Sequence, residues 1–391
     1  MVGLALLLAC AEPVRPSTVH FVRGGLLDQA PGGERLGDRW RFRAVHWAPG
    51  QALESEVAPH MAECVQVASV DLGDVSRLVA SGGASPDTDL SFSPDGTLLA
   101  VGTYTGRVLV ISVATGQVVA TRTLGEGMVR RVAWSPDGTT LYAGEQSPDA
   151  MLRALDPATL ADRWTRRLAD RVGHSPLPAG EDLYGIYTLP GIYGLRVLST
   201  GDLLVAAAHS WPGSDGQRQN RSQLLRLSPS GEVAAVWPPE PASVSLLHPS
   251  VDEAHHRLVI PVTRTAAGPA PADLPVGGIA ILSLDTLGFE SSLVVEPLAP
   301  WFKSAYLWNA QGIDGDTVML GFGDGRVVLG DSQGAVTTTL APGAPVLVGD
   351  VPVAASVGHG FLHRGTAYFL TSGTNIPWGA AAPELRPPSP H

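Results

Sequence analysis

Two stretches of the chain carry the same alternation of apolar and polar positions around the same turn. Leu90, Phe92, Leu98 and Ala100 flank Ser93-Pro94-Asp95-Gly96, and Val132, Trp134, Leu141 and Ala143 flank Ser135-Pro136-Asp137-Gly138. A period of two marks a strand in a packed sheet. In the turn itself proline presets φ at the second position, aspartate bonds its own backbone, and glycine takes a positive φ without a Cβ clash. Each stretch is therefore a hairpin, and Phe92 and Trp134 stand 42 residues apart. A second strand–turn–strand follows at Val108–Val119 around Ala114-Thr115-Gly116. It recurs at Val70–Asp74, Leu155–Leu160, Leu227–Gly231, Leu284–Gly288 and Leu329–Gly334.

A repeat of about 40 to 45 residues built from short alternating strands is the unit of a propeller: a small antiparallel sheet that needs neighbours on both faces. First strands are expected at Ala44–Trp47, Leu90–Phe92, Val132–Trp134, Leu195–Leu198, Val244–Leu247, Tyr306–Asn309 and Gly360–Leu362. The expected fold is an all-β, seven-bladed β-propeller. Six blades is the alternative, because the second strand of the first blade, within Gln51–Val57, is poorly marked and the fourth blade is swollen by Ala169–Gly194. The last blade ends after Ala367–Thr371, and Val19–Val22 with Leu26–Glu34 reads as an outer hairpin without an inner one. That N-terminal hairpin is expected to complete the last blade and close the ring, which removes two exposed sheet edges.

The two Ser-Pro-Asp-Gly turns, each after an aromatic-bearing strand and before a Leu or Tyr strand, resemble the WD40 and YVTN type of β-propeller repeat. No Trp-Asp pair occurs in the chain, so the hydrogen-bonded tetrad of true WD40 blades is not implied. The resemblance implies fold rather than function, since propellers host scaffolds, lactonases, oxidoreductases and sensors alike.

The composition agrees: 45 Gly and 33 Pro in 391 residues, with 44% hydrophobic and 16% charged, is turn-dense and able to build a core. Residues 18–376 read as a single propeller and 377–391 as a Pro-rich tail. Residues 1–17 read as a signal peptide with a lipobox and tether: Val2–Ala9 is an apolar run of h-region length, and Leu7-Leu8-Ala9-Cys10 resembles the bacterial lipobox. The resemblance implies a lipid on Cys10 and a place in the bacterial cell envelope, at the outer membrane or facing the periplasm. The other cysteine, Cys64, reads as a small buried hydrophobe. A net charge of −11 without a basic stripe argues against nucleic acid and against a direct electrostatic grip on anionic lipid. Membrane contact would come only through the anchor, and a monomer is expected.

Insertions show where function could sit. The long segments Ala169–Gly194, His209–Ser222, Thr263–Gly277 and Glu296–Ala305 all join the fourth strand of a blade to the next blade, or the second strand to the third. Because strands alternate in direction, both connection types emerge on one face, and insertions on one face mark the binding side of a repeat protein. That face would carry Tyr184, Tyr187, Tyr193, His209, Trp211 and Trp301, aromatics suited to recognising a protein, peptide or glycan. Arg130, His174 and His359 are placed at the mouth of the central channel. No catalytic residue, nucleophile motif, haem motif or zinc spacing can be read, and no cofactor is assigned. The favoured reading is a non-catalytic binding module. The alternative is a periplasmic enzyme, lactonase-like or a metal-dependent oxidoreductase, whose histidines would hold copper or zinc.

Overall fold

The computed structural model describes residues 18–23, 34–36, 39–44, 60–71, 87–178, 187–264, 266, 269–295, 307–322, 326–340, 346–348, 351–363 and 366–377. Within them the chain is laid out as successive sheets, antiparallel throughout except where Asn309 and Ala310 pair in parallel with His359 and Gly360. The first sheet contains β1 (Thr18–Arg23), β2 (Glu34–Leu36), β3 (Arg39–Ala44) and β4 (His60–Asp71), in the order β1-β4-β3-β2. Next comes a four-stranded meander of β5 (Asp87–Phe92), β6 (Leu98–Thr103), β7 (Arg107–Ser112) and β8 (Val118–Thr123). The same plan returns in β9 (Met128–Trp134), β10 (Leu141–Gln146), β11 (Met151–Leu155) and β12 (Asp162–Arg167). It returns again in β13 (Gly191–Val197), β14 (Leu203–Pro212), β15 (Arg218–Leu227) and β16 (Val233–Ala242).

In the following sheet the inner strand is broken into β17 (Ser245–Leu246) and β18 (Ser250–Asp252) around Pro249, and both pieces pair with β19 (Arg257–Thr263). β20 (Gly278–Ser283) and β21 (Phe289–Val294) complete it. Then come β22 (Leu307–Asp314), β23 (Thr317–Phe322), β24 (Val327–Asp331) and β25 (Val336–Leu340), and finally β26 (Val346–Val348), β27 (Val351–His363) and β28 (Thr366–Pro377). The four-residue α1 (Ala169–Val172) is the one α-helix among the described residues.

Side-chain alternation shows why these sheets stand together. Along β14, Leu203, Val205 and Ala207 enter a core shared with Leu152 and Ala154 of the preceding sheet, whereas Leu204 and Ala206 enter one shared with Leu258, Ile260 and Val262 of the next. Val259, between them, turns the other way and packs with Ile313, Val318 and Phe322. Ala100, Val108 and Val110 meet Val132, Trp134 and Leu141 in the same manner. One strand thus supplies two cores. This stacking of meanders face to face is the β-propeller, and its middle strands, such as β10, are buried along their whole length.

The Ser-Pro-Asp-Gly turns are built alike. Ser93 Oγ donates to Asp95 Oδ1 at 2.6 Å, the Thr97 N–H donates to the same oxygen, and Gly96 has φ +70°. Ser135, Asp137, Thr139 and Gly138 (φ +72°) repeat the pattern. The hydroxyl of the serine in each turn, then the threonine amide, hold both carboxyls below the usual carboxylate range. Successive sheets are also tied directly: the Trp134 indole donates to Ser91 O at 2.9 Å, the Trp164 indole to Pro229 O at 2.9 Å, and Arg226 Nη1 to Leu284 O at 2.9 Å.

One expectation needs correction. The N-terminal strand does not complete the last blade: β1 pairs antiparallel with β4 from Thr18↔Asp71 to Arg23↔Val65, and β4 pairs with β3 on its other edge. Correct phase in a repeat places a strand without choosing its partner, and a partner so much nearer in sequence closes a smaller loop than one at the other end of the chain. Of the first strand expected at Ala44–Trp47, only Ala44 is described, as the last residue of β3, and the rest lies outside the described residues. Of the proposed hairpin, Leu26–Gly33 lies outside the described residues, as do the leader with Cys10 and the tail from Trp378.

Two glycines separate conformational from steric cost. A Cβ on Gly96 would meet nothing within 4 Å, so Gly96→Ala is expected to cost only the left-handed backbone, about 1–2 kcal/mol. On Gly106, φ +76°, a Cβ would also fall 2.3 Å from Gly125 O and 2.6 Å from Gly127 O. Urea titration of the two variants should show the larger loss for Gly106→Ala; equal losses would contradict this packing.

Candidate functional site

The short turns between second and third strands and the connections between sheets do meet on one face. The Leu124 N–H donates to Gly106 O at 2.8 Å, Ser147 N–H to Pro190 O at 3.1 Å, and Ala169 N–H to Asp149 O at 3.1 Å. Each bond joins an inter-sheet connection to a turn of that type. Tyr104, in the turn after β6, donates its hydroxyl to that of Tyr187, 83 residues later, and the rings meet edge to face at 6.1 Å.

Beside this pair is a second contact between neighbouring inner strands. The Arg130 guanidinium lies over the Tyr193 ring, 3.9 Å from its centroid, and Arg130 Nη1 donates to Gln146 Oε1 at 2.7 Å. Gln146 is fully buried and its amide donates to Leu189 O at 3.0 Å and to the Tyr193 hydroxyl at 3.1 Å. The amide thus presents its oxygen to the arginine and its nitrogen to the tyrosine, which fixes both. Arg130 Nε is buried with no hydrogen-bond acceptor. Next along β9, Arg131 Nε donates to Tyr193 O at 2.9 Å. Burial, opposed by Asp89 and reinforced by Arg130 and Arg196, brings the Arg131 guanidinium down to about 10, so it stays cationic at neutral pH.

The segment His209–Ser222 is not a loop. Its two halves extend β14 and β15 in register, from His209↔Arg221 to Pro212↔Arg218, and close in a tight turn at Gly213–Gln217. It forms a hairpin that stands beyond the sheet. His209 is 3% exposed at its base, stacked on Trp211 at 4.2 Å between centroids. Its Nδ1 lies 3.2 Å from Val172 O and its Nε2 3.0 Å from Thr188 O, so both ring nitrogens face backbone carbonyls of the Ala169–Gly194 segment. His209 is occupied in holding that segment. Burial depresses its pKa, the two carbonyls partly offset this, and His174 adds to the depression. His174 itself is exposed, with Nδ1 3.0 Å from Asp149 Oδ1.

The structure therefore brings Arg130, Tyr187 and Tyr193 to one inner region, and places His209, Trp211 and His174 around the neighbouring connection. His359 falls within β27, while Tyr184 and Trp301 lie outside the described residues. Among the described residues no group of three or more His, Cys, Asp or Glu side chains is arranged to hold a metal ion, and no helix is long and apolar enough to cross a membrane. Sequence reasoning missed Tyr104 and Gln146. Both close a second strand on this face, so strand position was the signal that could have found them.

Residues 75–137, which contain the first Ser-Pro-Asp-Gly turn and end at Asp137 within the second, match the family described as the anaphase-promoting complex subunit 4 WD40 domain. Ninety residues, 23% of this chain, are 36% identical to echinoderm microtubule-associated protein-like 2 of Homo sapiens, and the Mus musculus protein matches equally. The chain spans 13% of the length of these relatives. Among solved structures, the Dos1 propeller is similar at a TM-score of 0.47 and 12% identity, covering 75% of this chain and 80% of that one. BamB from Moraxella catarrhalis is similar at a TM-score of 0.40 and 14% identity, covering 89% and 98%. The resemblance to a WD40 domain is thus confined to residues 75–137, within a chain whose stacked meanders form a β-propeller.

Because the His209 pKa is lowered on folding, its contribution to stability is complete above the unfolded value of about 6.5 and is lost as pH falls through the folded value. Melting temperatures measured from pH 7.5 to 5 should fall in the wild type and fall less in His209→Gln. Parallel curves would show that His209 is not the titrating group.

Proposed function

We propose that this chain is a non-catalytic interaction module. It presents the face built by Tyr104, Tyr187, Arg130 and Tyr193, with the hairpin bearing Trp211 beside it, to a protein or peptide partner. The observation that supports this most directly is the Arg130–Tyr193 stack pinned by Gln146. Aromatic and arginine side chains held in fixed rotamers give contact area at low entropic cost and dominate interface energetics. The WD40 match over residues 75–137 is consistent with the reading, and the matched family is named for a subunit of a complex. An acyl chain on Cys10 would hold the module at a bacterial envelope, a part of the proposal that rests on Leu7-Leu8-Ala9-Cys10 alone.

Affinity capture with the full chain tests the binding reading. A partner retained by wild type should be lost when Arg130 and Tyr193 are both replaced by alanine, and retained by Arg163→Ala, whose ion pair with Asp156 sits at a turn of the opposite face. Equal retention by all three would remove the proposal. Mass spectrometry of the same bait reads the anchor: a diacylglyceryl mass on Cys10 is expected, and an unmodified Met1 contradicts it.

A further inference from the structure

Among the described residues, several arginines of the second, third and fourth strands are paired with carboxylates. Arg122 and Arg153 share Asp162, at 2.8 and 3.3 Å, and Arg153 also holds the buried Glu145 at 2.5 Å. Arg226 holds Asp202 at 2.7 Å and Arg257 holds Glu290 at 3.1 Å. Three arginines on the inner strands differ. Arg130 bonds an amide, Arg131 bonds the carbonyls of Tyr193 and Arg130, and Arg196 reaches only Pro249 O at 3.4 Å. None of the three has a carboxylate within ion-pair distance among the described residues. They nonetheless sit close enough that Arg130 and Arg196 both act on Arg131, opposed by the carboxylate of Asp89. Asp89 Oδ2 is already an acceptor for the Val132 N–H at 3.0 Å.

Three cations facing one carboxylate in a chain of net charge −11 is a local inversion of sign. Its like charges repel, and burial lowers the pKa of Arg131. Like charges held together away from water cost stability, and a bound anion offsets that cost. The donors are suitably disposed. Arg130 has one terminal nitrogen committed to Gln146, which leaves the Nε edge, the edge that grips an oxyanion in a fork, without an acceptor. Arg196 is exposed to solvent and offers the way in.

We propose that Arg130, Arg131 and Arg196 form an oxyanion site between the inner strands of neighbouring sheets, taking a carboxylate or phosphate group. The group can be a free small oxyanion or an acidic side chain of a polypeptide. The inference rests on reading this face as a binding face, and it adds the chemistry that the face selects.

The test is calorimetric titration of the full chain with inorganic phosphate, with citrate and with a hexaglutamate peptide, at constant ionic strength. Saturable binding of at least one probe is expected, weakened about tenfold or more in Arg196→Gln, as removal of a charge-assisted hydrogen bond predicts. Arg166→Gln, an outer-strand arginine 3.5 Å from Glu232, should leave it unchanged. A free-oxyanion source predicts that phosphate or citrate saturates alone; a polypeptide source predicts that only the peptide does. No saturable binding of any probe, or equal weakening by Arg166→Gln, overturns the proposal. Because Arg196 lies outside the pair of substitutions used for partner capture, the two readings fail separately. Capture that survives without oxyanion binding removes this inference alone, and oxyanion binding without a partner removes the interaction reading alone. Circular dichroism of Arg130→Lys, which keeps the charge and loses the fork, separates a folding defect from lost recognition: a folded protein with weakened binding supports the site, and a folded protein with unchanged binding contradicts it.

Discussion

A strand whose two faces enter two different cores cannot be satisfied by one neighbour, and the rest of this molecule follows from that constraint. Leu203, Val205 and Ala207 go one way while Leu204 and Ala206 go the other. At about 1.5–3 kcal/mol for each buried aliphatic side chain, either face alone represents a large share of the net stability of a typical domain. Each sheet must therefore be covered on both sides, and the chain meets this by repeating the meander and stacking the copies. The directional ties between sheets, such as the Trp134 indole on Ser91 O and the Arg226 guanidinium on Leu284 O, set the register of the stack.

The same geometry creates the site. Covering the faces leaves the inner strands edge-on to one another, and it gathers the inter-sheet connections over the turns between second and third strands. Polar side chains near those edges must bond one another or a ligand. Gln146 shows the first solution, with its amide fully used by Arg130, Leu189 and Tyr193. The Arg130 Nε edge shows that the solution is incomplete. On the proposed reading, binding depends on which inner-strand donors the scaffold leaves unmatched, rather than on a motif contiguous in sequence.

Much of the fold was legible because the signal repeats locally. Pro94 and Pro136 in the turns, and Phe92 and Trp134 before them, define hairpins within a dozen residues, and the structure places β5, β6, β9 and β10 there. The turn between third and fourth strands could be traced through Thr115, Asp156 and Asp285, although its left-handed position is glycine once, Gly116, and leucine twice, Leu160 and Leu287. Strand pairing at the N-terminus was not legible, because period two states that Val19 to Val22 is a strand and says nothing of β4 as its partner. The hairpin after His209 was hidden by its composition: Trp211-Pro212-Gly213 and the polar Arg218-Gln219-Asn220 read as an insertion, while in register they extend two strands. At the site, Arg130 and Tyr193 were visible as residue types suited to recognition. Their contact was not, since it joins positions 63 apart through backbone geometry that sequence spacing does not encode.

The central claim is that the face bearing Tyr104, Arg130 and Tyr193 is the one that engages a ligand. Hydrogen–deuterium exchange of the full chain, with and without saturating ligand, addresses it most directly. The account predicts added protection in the segments 104–106, 125–131 and 187–196, with the turns at 93–97, 135–139 and 156–160 unchanged. Protection confined to those turns, on the opposite face, would contradict it.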